Sequence, residues 1–130
     1  MFICPPCHYT CKTCDGPLET DCLTCNTTAS ENRIYDSTNK KCLCEPKFYD
    51  DGLFNETCLA CDYTCKNCLD NLPASCTECN TLGSEHRFYP IGTPLTGTCT
   101  CDDFYFENSP NETCLSCHYS CYSCTGLTIN

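Results

Sequence analysis

The stretch Cys4-Pro5-Pro6-Cys7-His8-Tyr9-Thr10-Cys11-Lys12-Thr13-Cys14, closed by Cys22 and Cys25, decides the fold because the chain repeats it. A second copy starts at Cys58 and keeps the identical spacing C-x2-C-x3-C-x2-C-x7-C-x2-C. A third copy starts at Cys114. Because self-similarity at a fixed period marks tandem repeats, we divide the chain into repeat 1 at 4–57, repeat 2 at 58–113 and the truncated start of repeat 3 at 114–130.

Cysteine dominates the composition, with 20 among 130 residues, whereas the chain has no Trp and a single Met. A chain that cannot build a large apolar core relies on covalent closure, and such cysteine density marks a disulfide scaffold. The composition therefore predicts a small disulfide-rich fold. Disulfides persist in oxidising compartments, so we expect a secreted or cell-surface protein.

Short hairpins are the secondary structure that the sequence predicts, with almost no helix. Polar turn residues separate the expected strands Arg33–Asp36 and Lys41–Cys44. A second hairpin is expected between Lys47–Tyr49 and Leu53–Asn55, around an Asp-Asp-Gly turn. The cysteine block at 4–25 is expected to consist of turns held by bridges. The whole is predicted to be mostly coil, arranged as a rod of tandem modules.

The charge balance excludes several partners. The formal net charge is −10 and the seven basic residues are scattered. Nucleic acids and anionic lipids need clustered Lys and Arg, so we expect neither as a partner. No stretch reaches the length of ~20 apolar residues that crosses a bilayer, so no direct membrane contact is expected. Met1-Phe2-Ile3 is too short for a signal peptide, which indicates a mature fragment or part of a longer chain.

Three N-x-T sequons predict N-glycosylation at Asn26, Asn55 and Asn111. Two of them occupy the same place in the repeat, directly before Cys58 and Cys114. This recurrence favours an exposed, glycan-bearing loop.

The run Cys7-x3-Cys11-x2-Cys14-x7-Cys22-x2-Cys25 resembles the furin-like cysteine-rich repeat of proprotein convertases and growth-factor receptors. The whole unit adds C-x-C, R-x-Y and F-Y elements, and the F-Y element matches Phe48-Tyr49 of repeat 1 with Phe104-Tyr105 of repeat 2. With these elements it looks more like the repeats of large ciliate cell-surface proteins. The resemblance covers nearly the whole chain and is specific for the fold. It says little about function, because such a family is defined by its disulfides.

The resemblance implies two interleaved bridges in each cysteine block, followed by single-bridge loops. Carried over to this chain, the implied pairs are Cys7–Cys14, Cys11–Cys22, Cys25–Cys42, Cys44–Cys58, Cys61–Cys68, Cys65–Cys76, Cys79–Cys99, Cys101–Cys114 and Cys117–Cys124. Cys4 and Cys121 are then unpaired or bridged to a neighbouring unit. Sequence alone leaves the connectivity open. An alternative scheme pairs Cys4 with Cys11 and Cys7 with Cys14.

Zinc is the main alternative for a repeated C-x2-C, because paired cysteines with His are its common ligands. His8 and His118 each follow a cysteine, but Asp62 takes their place in repeat 2, which argues against a ligand role. The acidic pairs Asp50-Asp51 and Asp102-Asp103 leave calcium as a further alternative, although a solvated turn is favoured. We expect no cofactor and no bound metal.

No catalytic residues are expected, since a nucleophilic cysteine needs a free thiol near a base. The repeated tyrosines Tyr9, Tyr63 and Tyr119 are expected to pack over adjacent disulfides, between the cysteine block and the hairpin part of a repeat, with the hydroxyl reaching water. The alternative is a repeated contact surface. Arg33 and Arg87 are expected to lie over a neighbouring Tyr ring or to pair locally.

These patterns favour a non-catalytic structural repeat glycoprotein, in which this stretch belongs to a longer or polymeric surface or filament-forming chain. Its expected partners are neighbouring copies or repeats of the same chain and its N-glycans. The alternative is a stalk or ligand-binding part of a cell-surface receptor ectodomain, in which the repeats position a binding domain.

Overall fold

The computed structural model describes residues 3–27, 31–80, 85–88 and 97–126. The chain forms two compact units, Met1–Ala60 and Cys61–Asn130. The repeat boundaries at 57/58 and 113/114 stay a prediction. Among the residues described here, no helix is long and apolar enough to cross a membrane.

Unit 1 consists of three antiparallel hairpins that follow one another along the chain. The first joins β1 (Cys11–Cys14) to β2 (Cys22–Cys25), and a register shift interrupts their pairing. The second joins β3 (Arg33–Asp36) to β4 (Lys41–Cys44) in unbroken register. The third joins β5 (Phe48–Tyr49) to β6 (Leu59–Ala60).

Unit 2 repeats the same three hairpins with shorter strands. The strands are β7 (Asn67–Cys68), β8 (Cys76–Glu78), β9 (Arg87–Phe88), β10 (Thr100–Cys101), β11 (Tyr105–Phe106) and β12 (Leu115–Ser116). They pair β7 with β8, β9 with β10 and β11 with β12, all antiparallel. The helical content of the described residues is a single 3-10 turn at Pro73–Ser75.

Cystine takes the place of an aliphatic core. Among the described residues every buried apolar side chain is a cysteine, and in unit 1 Cys22, Cys25 and Cys42 form one buried cluster with Cys11 packed against it. Leucines, isoleucines and phenylalanines lie largely outside, with Phe54 78% exposed. Disulfides thus replace the burial that a chain of this composition cannot supply.

The predicted fold class, a small disulfide-rich protein of coil and short hairpins, is confirmed; the rod stays a prediction. The hairpin β3–β4 has the predicted bounds. Its turn is set locally, because the Asp36 carboxylate accepts hydrogen bonds from the backbone N–H of Thr38 at 3.0 Å and of Asn39 at 3.4 Å. Lys40 completes the turn with a φ of 51°.

The predicted hairpin between Lys47–Tyr49 and Leu53–Asn55 is wrong, because β5 pairs with Leu59–Ala60. The residues between them form a loop instead. Gly52 and Phe54 have φ values of 70° and 64°, so the backbone turns twice and cannot run as a strand. In the block 4–25, expected to consist of turns, the structure has the hairpin β1–β2.

The third hairpin has the same register in both units, and this register differs from the one that the sequence match suggests. Phe48 pairs with Ala60, and Tyr105 pairs with Ser116, the equivalent residue two after Cys114. Phe48 therefore corresponds to Tyr105, and the matching of Phe48-Tyr49 with Phe104-Tyr105 is wrong by one residue. The preceding residues Lys47 and Phe104 share a positive φ, 73° and 69°. This shift makes Asp50 the counterpart of Glu107.

Candidate functional site

The structure closes nine disulfides, and they are the nine pairs that the resemblance implies. They join Cys7–Cys14, Cys11–Cys22, Cys25–Cys42, Cys44–Cys58, Cys61–Cys68, Cys65–Cys76, Cys79–Cys99, Cys101–Cys114 and Cys117–Cys124. Cys4 is free and exposed, and Cys121 is free and partly buried. A bridged cysteine has no thiolate to offer zinc. In every C-x2-C pair that does not include Cys4 or Cys121, the two cysteines belong to two different disulfides.

A buried arginine joins several segments of unit 1. Arg33, at the start of β3, is 2% exposed. Its Nε donates to the carbonyl of Glu56 at 2.6 Å, and its Nη1 donates to the carbonyl of Cys42 at 3.3 Å. Its Nη2 donates to the Asp50 carboxylate at 2.7 Å and to the carbonyl of Asn55 at 3.0 Å. The guanidinium thus joins the hairpin β3–β4 to the loop after β5.

Arg87 makes the same set of contacts in unit 2, where it is 3% exposed. Its Nε donates to the carbonyl of Glu112 at 2.6 Å, and its Nη1 to the carbonyl of Cys99 at 3.2 Å. Both Nη atoms reach the Glu107 carboxylate, at 2.6 and 2.9 Å, and Nη2 also reaches the carbonyl of Asn111 at 3.4 Å. We call each of these networks an arginine clamp.

A tyrosine from the cysteine block completes each clamp. The ring of Tyr9 lies under the first guanidinium, with 5.8 Å from Cζ to the ring centroid, and Tyr63 lies under the second at 5.7 Å. Both distances suit a cation–π contact. The Tyr9 hydroxyl donates to Asp50 at 3.0 Å, and the Tyr63 hydroxyl donates to Glu107 at 3.3 Å. The clamp therefore also holds the cysteine block of its own unit.

Electrostatics keep both clamp carboxyls ionised. Burial works to raise the pKa of Asp50, but hydrogen bonds from the Gly52 N–H, from the arginine and from the tyrosine outweigh it and hold that pKa below its ordinary value. Hydrogen bonds from Arg87 lower the pKa of Glu107 against a smaller opposing effect of burial. Burial, followed by the bond to Asp50, raises the pKa of Tyr9, which therefore stays a neutral donor.

The geometry of the arginine clamps suits a structural cross-link between loops rather than a ligand-binding site. A guanidinium has five N–H donors. Arg87 uses its Nε and both Nη atoms on three backbone carbonyls and one carboxylate. Arg33 and Lys41 are the cations that line the cavity of ≈260 Å³ beside the first clamp. Both are paired with carboxylates, Arg33 with Asp50 and Lys41 with Glu19, each at 2.7 Å. Both clamps thus serve to hold loops together.

The histidines and aspartate of the cysteine blocks act as turn caps. His8 Nδ1 lies 2.9 Å from the Thr10 hydroxyl, and His118 Nδ1 lies 2.8 Å from the Ser120 hydroxyl. Asp62 accepts from the Thr64 hydroxyl at 2.6 Å and from its N–H at 3.0 Å. Any side chain with an acceptor at this position can close the turn. This explains why His and Asp interchange in one chain.

Internal hydrogen bonds occupy three of the four carboxylates in the acidic pairs considered for calcium. Asp50 accepts from its clamp partners and from the Gly52 N–H at 3.0 Å. Asp51 accepts from the Leu53 N–H at 2.9 Å and from the Asn55 amide at 2.7 Å. Asp103 accepts from the Tyr122 hydroxyl. A Ca²⁺ ion takes six to eight oxygen ligands, and these turns direct their oxygens to protein donors instead.

The predicted sequons lie in two different settings. Asn55 and Asn111 are exposed, and the carbonyl of each is held by the arginine of its own unit. Asn26 is partly buried, and its amide donates to Glu31 at 2.7 Å. Its sequon ends at Thr28, which lies outside the described residues. Glycosylation at the three positions stays a prediction.

Known proteins share this pattern over nearly the whole chain. Cysteine repeat modular protein 2 of Tetrahymena thermophila is 30% identical over 131 residues, which cover 98% of this chain and 7% of that protein. Furin-like protease 2 of Drosophila melanogaster is 34% identical over 128 residues, which cover 95% of this chain and 7% of that protein. The chain is built of furin-like cysteine-rich repeats.

These furin-like repeats are also similar to a stretch of Extracellular matrix organizing protein FRAS1 of Homo sapiens, with 31% identity over 127 residues. That stretch covers 95% of this chain and 3% of the human protein, so the chain spans only a small part of its relatives' length. No family model matches the chain, and no solved structure matches it. The disulfide framework and these relatives make it a secreted or cell-surface chain.

Sequence reasoning anticipated the cation–π contacts of the two arginines but missed their carboxylate partners. The expectation of local pairing is corrected, because Arg33 pairs with Asp50, 17 residues away, and Arg87 with Glu107, 20 residues away. The tyrosine hydroxyls, expected to reach water, bind these same carboxylates. The sequence did contain a signal for these partners. An arginine recurs between the cysteine block and the C-x-C, and a recurring buried cation needs an acidic residue at one repeat position.

Proposed function

We propose that the chain is a non-catalytic structural segment of an extracellular glycoprotein, part of a longer or polymeric surface or filament-forming chain. The observation that supports this is the recurrence of the arginine clamp in both units, each time with its donors used inside the unit. A segment of this kind adds length and stiffness by repetition, because stability in repeat proteins is nearly a sum of unit and neighbour contributions.

The proposed partners follow from that role. Neighbouring repeats or further copies of the same chain provide contacts that can propagate, since head-to-tail interfaces that do not close a ring build open filaments. N-glycans on the exposed sequon loops add solubility at the surface of such an assembly. No nucleic-acid partner is proposed, because the net charge of −10 repels a polyanion.

Self-assembly of the oxidised, secreted chain tests the proposal. We expect sedimentation velocity to show mass that rises with protein concentration, and electron microscopy to show elongated particles. The variant Cys4→Ser/Cys121→Ser separates disulfide-linked polymers from non-covalent ones, because it removes both free thiols. A chain that stays monomeric at every concentration contradicts self-assembly. Saturable binding of a soluble ligand by that monomer would favour a receptor ectodomain.

A further inference from the structure

The loop before the sequon of unit 1 presents an unusual apolar surface. Leu53 is 73% exposed and Phe54 is 78% exposed. Phe54 also has a φ of 64°, a backbone conformation that is an outlier for a bulky side chain. Strained residues persist where the surrounding structure imposes them, and they cluster at sites that bind something. The exposed aromatic ring stands directly before Asn55, the asparagine of the predicted glycosylation sequon.

Hydrogen bonds hold this loop and its asparagine in one orientation. The Asp51 carboxylate accepts from the Leu53 N–H at 2.9 Å and from the Asn55 Nδ2 at 2.7 Å. The carbonyl of Asn55 accepts from Arg33 at 3.0 Å. An amide nitrogen carries two hydrogens, so a sugar can replace one of them while the other keeps its bond to Asp51. The attachment point is therefore preorganised.

The Phe54 ring packs against the ring of Tyr9. The two rings form a T-shaped arrangement with 5.5 Å between centroids and 75° between planes. The clamp holds Tyr9 in turn through its hydroxyl bond to Asp50. Phe54 thus stands as a braced ring whose remaining surface is open to solvent.

We propose that Phe54, with Leu53, is the docking surface for the first N-acetylglucosamine of a glycan on Asn55. The inference rests on the glycoprotein part of the proposed function. The C–H face and acetyl methyl of this sugar are apolar, and covering an exposed ring with them removes apolar surface from water. A glycan attached to the next residue reaches the ring at a high effective concentration, because the contact is intramolecular.

The second sequon supplies a control within the same chain. Asn111 is exposed and its carbonyl is held by Arg87 in the same manner. The residues directly before it are Ser109 and Pro110, so Asn111 has no aromatic neighbour in the position that Phe54 holds before Asn55. A glycan on Asn111 is therefore expected to stay free of such a contact.

Nuclear magnetic resonance of two single-glycan forms tests the docking. The variant Thr28→Ala/Thr113→Ala keeps only the Asn55 sequon, and Thr28→Ala/Thr57→Ala keeps only the Asn111 sequon. The full chain is secreted from a glycosylating host, and its glycan is trimmed enzymatically to the first sugar. In the Asn55 form we expect nuclear Overhauser contacts between the sugar and the Phe54 ring, with sugar protons shifted upfield. In the Asn111 form we expect neither.

Phe54→Ala in the Asn55 form is expected to abolish the shift while the site stays occupied. Sugar signals on Asn55 that match those on Asn111 would overturn the proposal, as would an unoccupied Asn55. Loss of solvent exposure of the ring in the glycan-free chain as concentration rises would assign the surface to a second copy instead. Sedimentation measures self-assembly separately. If the chain assembles but the sugar on Asn55 makes no contact with Phe54, the docking proposal is wrong and the proposed structural role is not contradicted.

Discussion

Arg33 and Arg87 illustrate how one buried side chain can hold several loops together. Each is almost fully buried, and each reaches three backbone carbonyls and a carboxylate. A planar guanidinium with five donors suits this task, whereas a lysine ammonium is a compact charge with three. Burial in the presence of a carboxylate avoids the cost of an isolated buried charge.

Replacing Arg33 by Gln is expected to destabilise unit 1 by about 3 kcal/mol, because it leaves the Asp50 charge without its cation and two loop carbonyls without their donor. The free energy of unfolding is measured by guanidinium denaturation of the oxidised chain, followed through the near-ultraviolet signal of tyrosine. Lys12→Gln removes one positive charge at an exposed position of β1 and is expected to change the free energy by less than about 0.5 kcal/mol. Equal effects of both variants would contradict a special role for the clamp.

Acid is expected to loosen unit 2 through Glu107. The pKa of this carboxyl is lowered in the folded chain from its ordinary value of 4.5, with hydrogen bonds from Arg87 as the largest cause. A lowered folded-state pKa means that the stabilisation is fully present above pH 4.5 and is lost as the pH falls through the folded-state value.

Unfolding free energies measured between about pH 6 and pH 3 test this coupling. Glu107→Gln is expected to lower the stability at pH 6 and to flatten its decrease below the ordinary carboxyl pKa. Glu45→Gln, in the other unit, is the matched change of charge and is expected to keep the wild-type slope. An unchanged slope in Glu107→Gln would refute the assignment.

At the scale of elements, the fold consists of two-stranded hairpins that are too short to be stable alone. Isolated hairpins are marginal in water, and the strands here have two to four residues. Each gains stability from a bridge or an arginine at its base, as β3–β4 does from Cys25–Cys42 and Arg33. Backbone turns between strands therefore matter more than strand propensity.

Gly16, in the bend between β1 and β2, shows how tight such a turn is. A Cβ placed on Gly16 would lie 2.3 Å from Oδ2 of Asp21, the atom that accepts the Leu18 N–H at 3.0 Å. Gly16→Ala is therefore expected to displace the Asp21 carboxylate and to cost about 1 kcal/mol through the lost hydrogen bond. Thermal unfolding of the oxidised chain measures it.

Gly126→Ala is the control for this prediction, because an added Cβ there meets no atom within 4 Å. A second comparison uses Asp21→Ala. If the clash with the Asp21 carboxylate is the cause, Gly16→Ala should lower the thermal stability of the Asp21→Ala chain by much less than that of the parent chain. Additive effects of the two substitutions would point to another cause.

At the scale of the whole molecule, stability depends on covalent closure. Nine bridges close loops with sequence separations of 7 to 20 residues. Each contributes roughly 2–4 kcal/mol, mainly by restricting the unfolded chain. The same bridges leave 2 of the 20 cysteines, Cys4 and Cys121, free.

Titration of the denatured, unreduced chain is expected to find these 2 thiols, and 20 after reduction. The variant Cys4→Ser/Cys121→Ser is expected to give none before reduction while it keeps the thermal stability of the parent. Peptide mapping of the labelled thiols identifies their positions. More than two reactive thiols in a chain that also binds zinc would contradict the disulfide framework and favour a metal-binding module.

Local features of the sequence determined the class of the fold. The repeated cysteine spacing indicates a framework of disulfides. A turn of polar residues between two short runs that contain β-branched or aromatic residues predicts β3–β4 with the observed bounds. These features involve neighbours within a few residues, where chain geometry leaves few choices. The bridges themselves needed the resemblance, because spacing alone allows many pairings.

Only the tertiary structure decided the clamps and the third hairpin. Arg33 meets Asp50 and Tyr9 because the Cys44–Cys58 bridge and the β5–β6 pairing bring distant segments together. The corresponding acid in unit 2 is Glu107. The sequence match of Phe48-Tyr49 with Phe104-Tyr105 is off by one residue, so it did not align Asp50 with Glu107. A contact between segments that are 17 to 41 residues apart depends on register and closure. Neither has a local signature, since each is set by the summed energy of the folded unit.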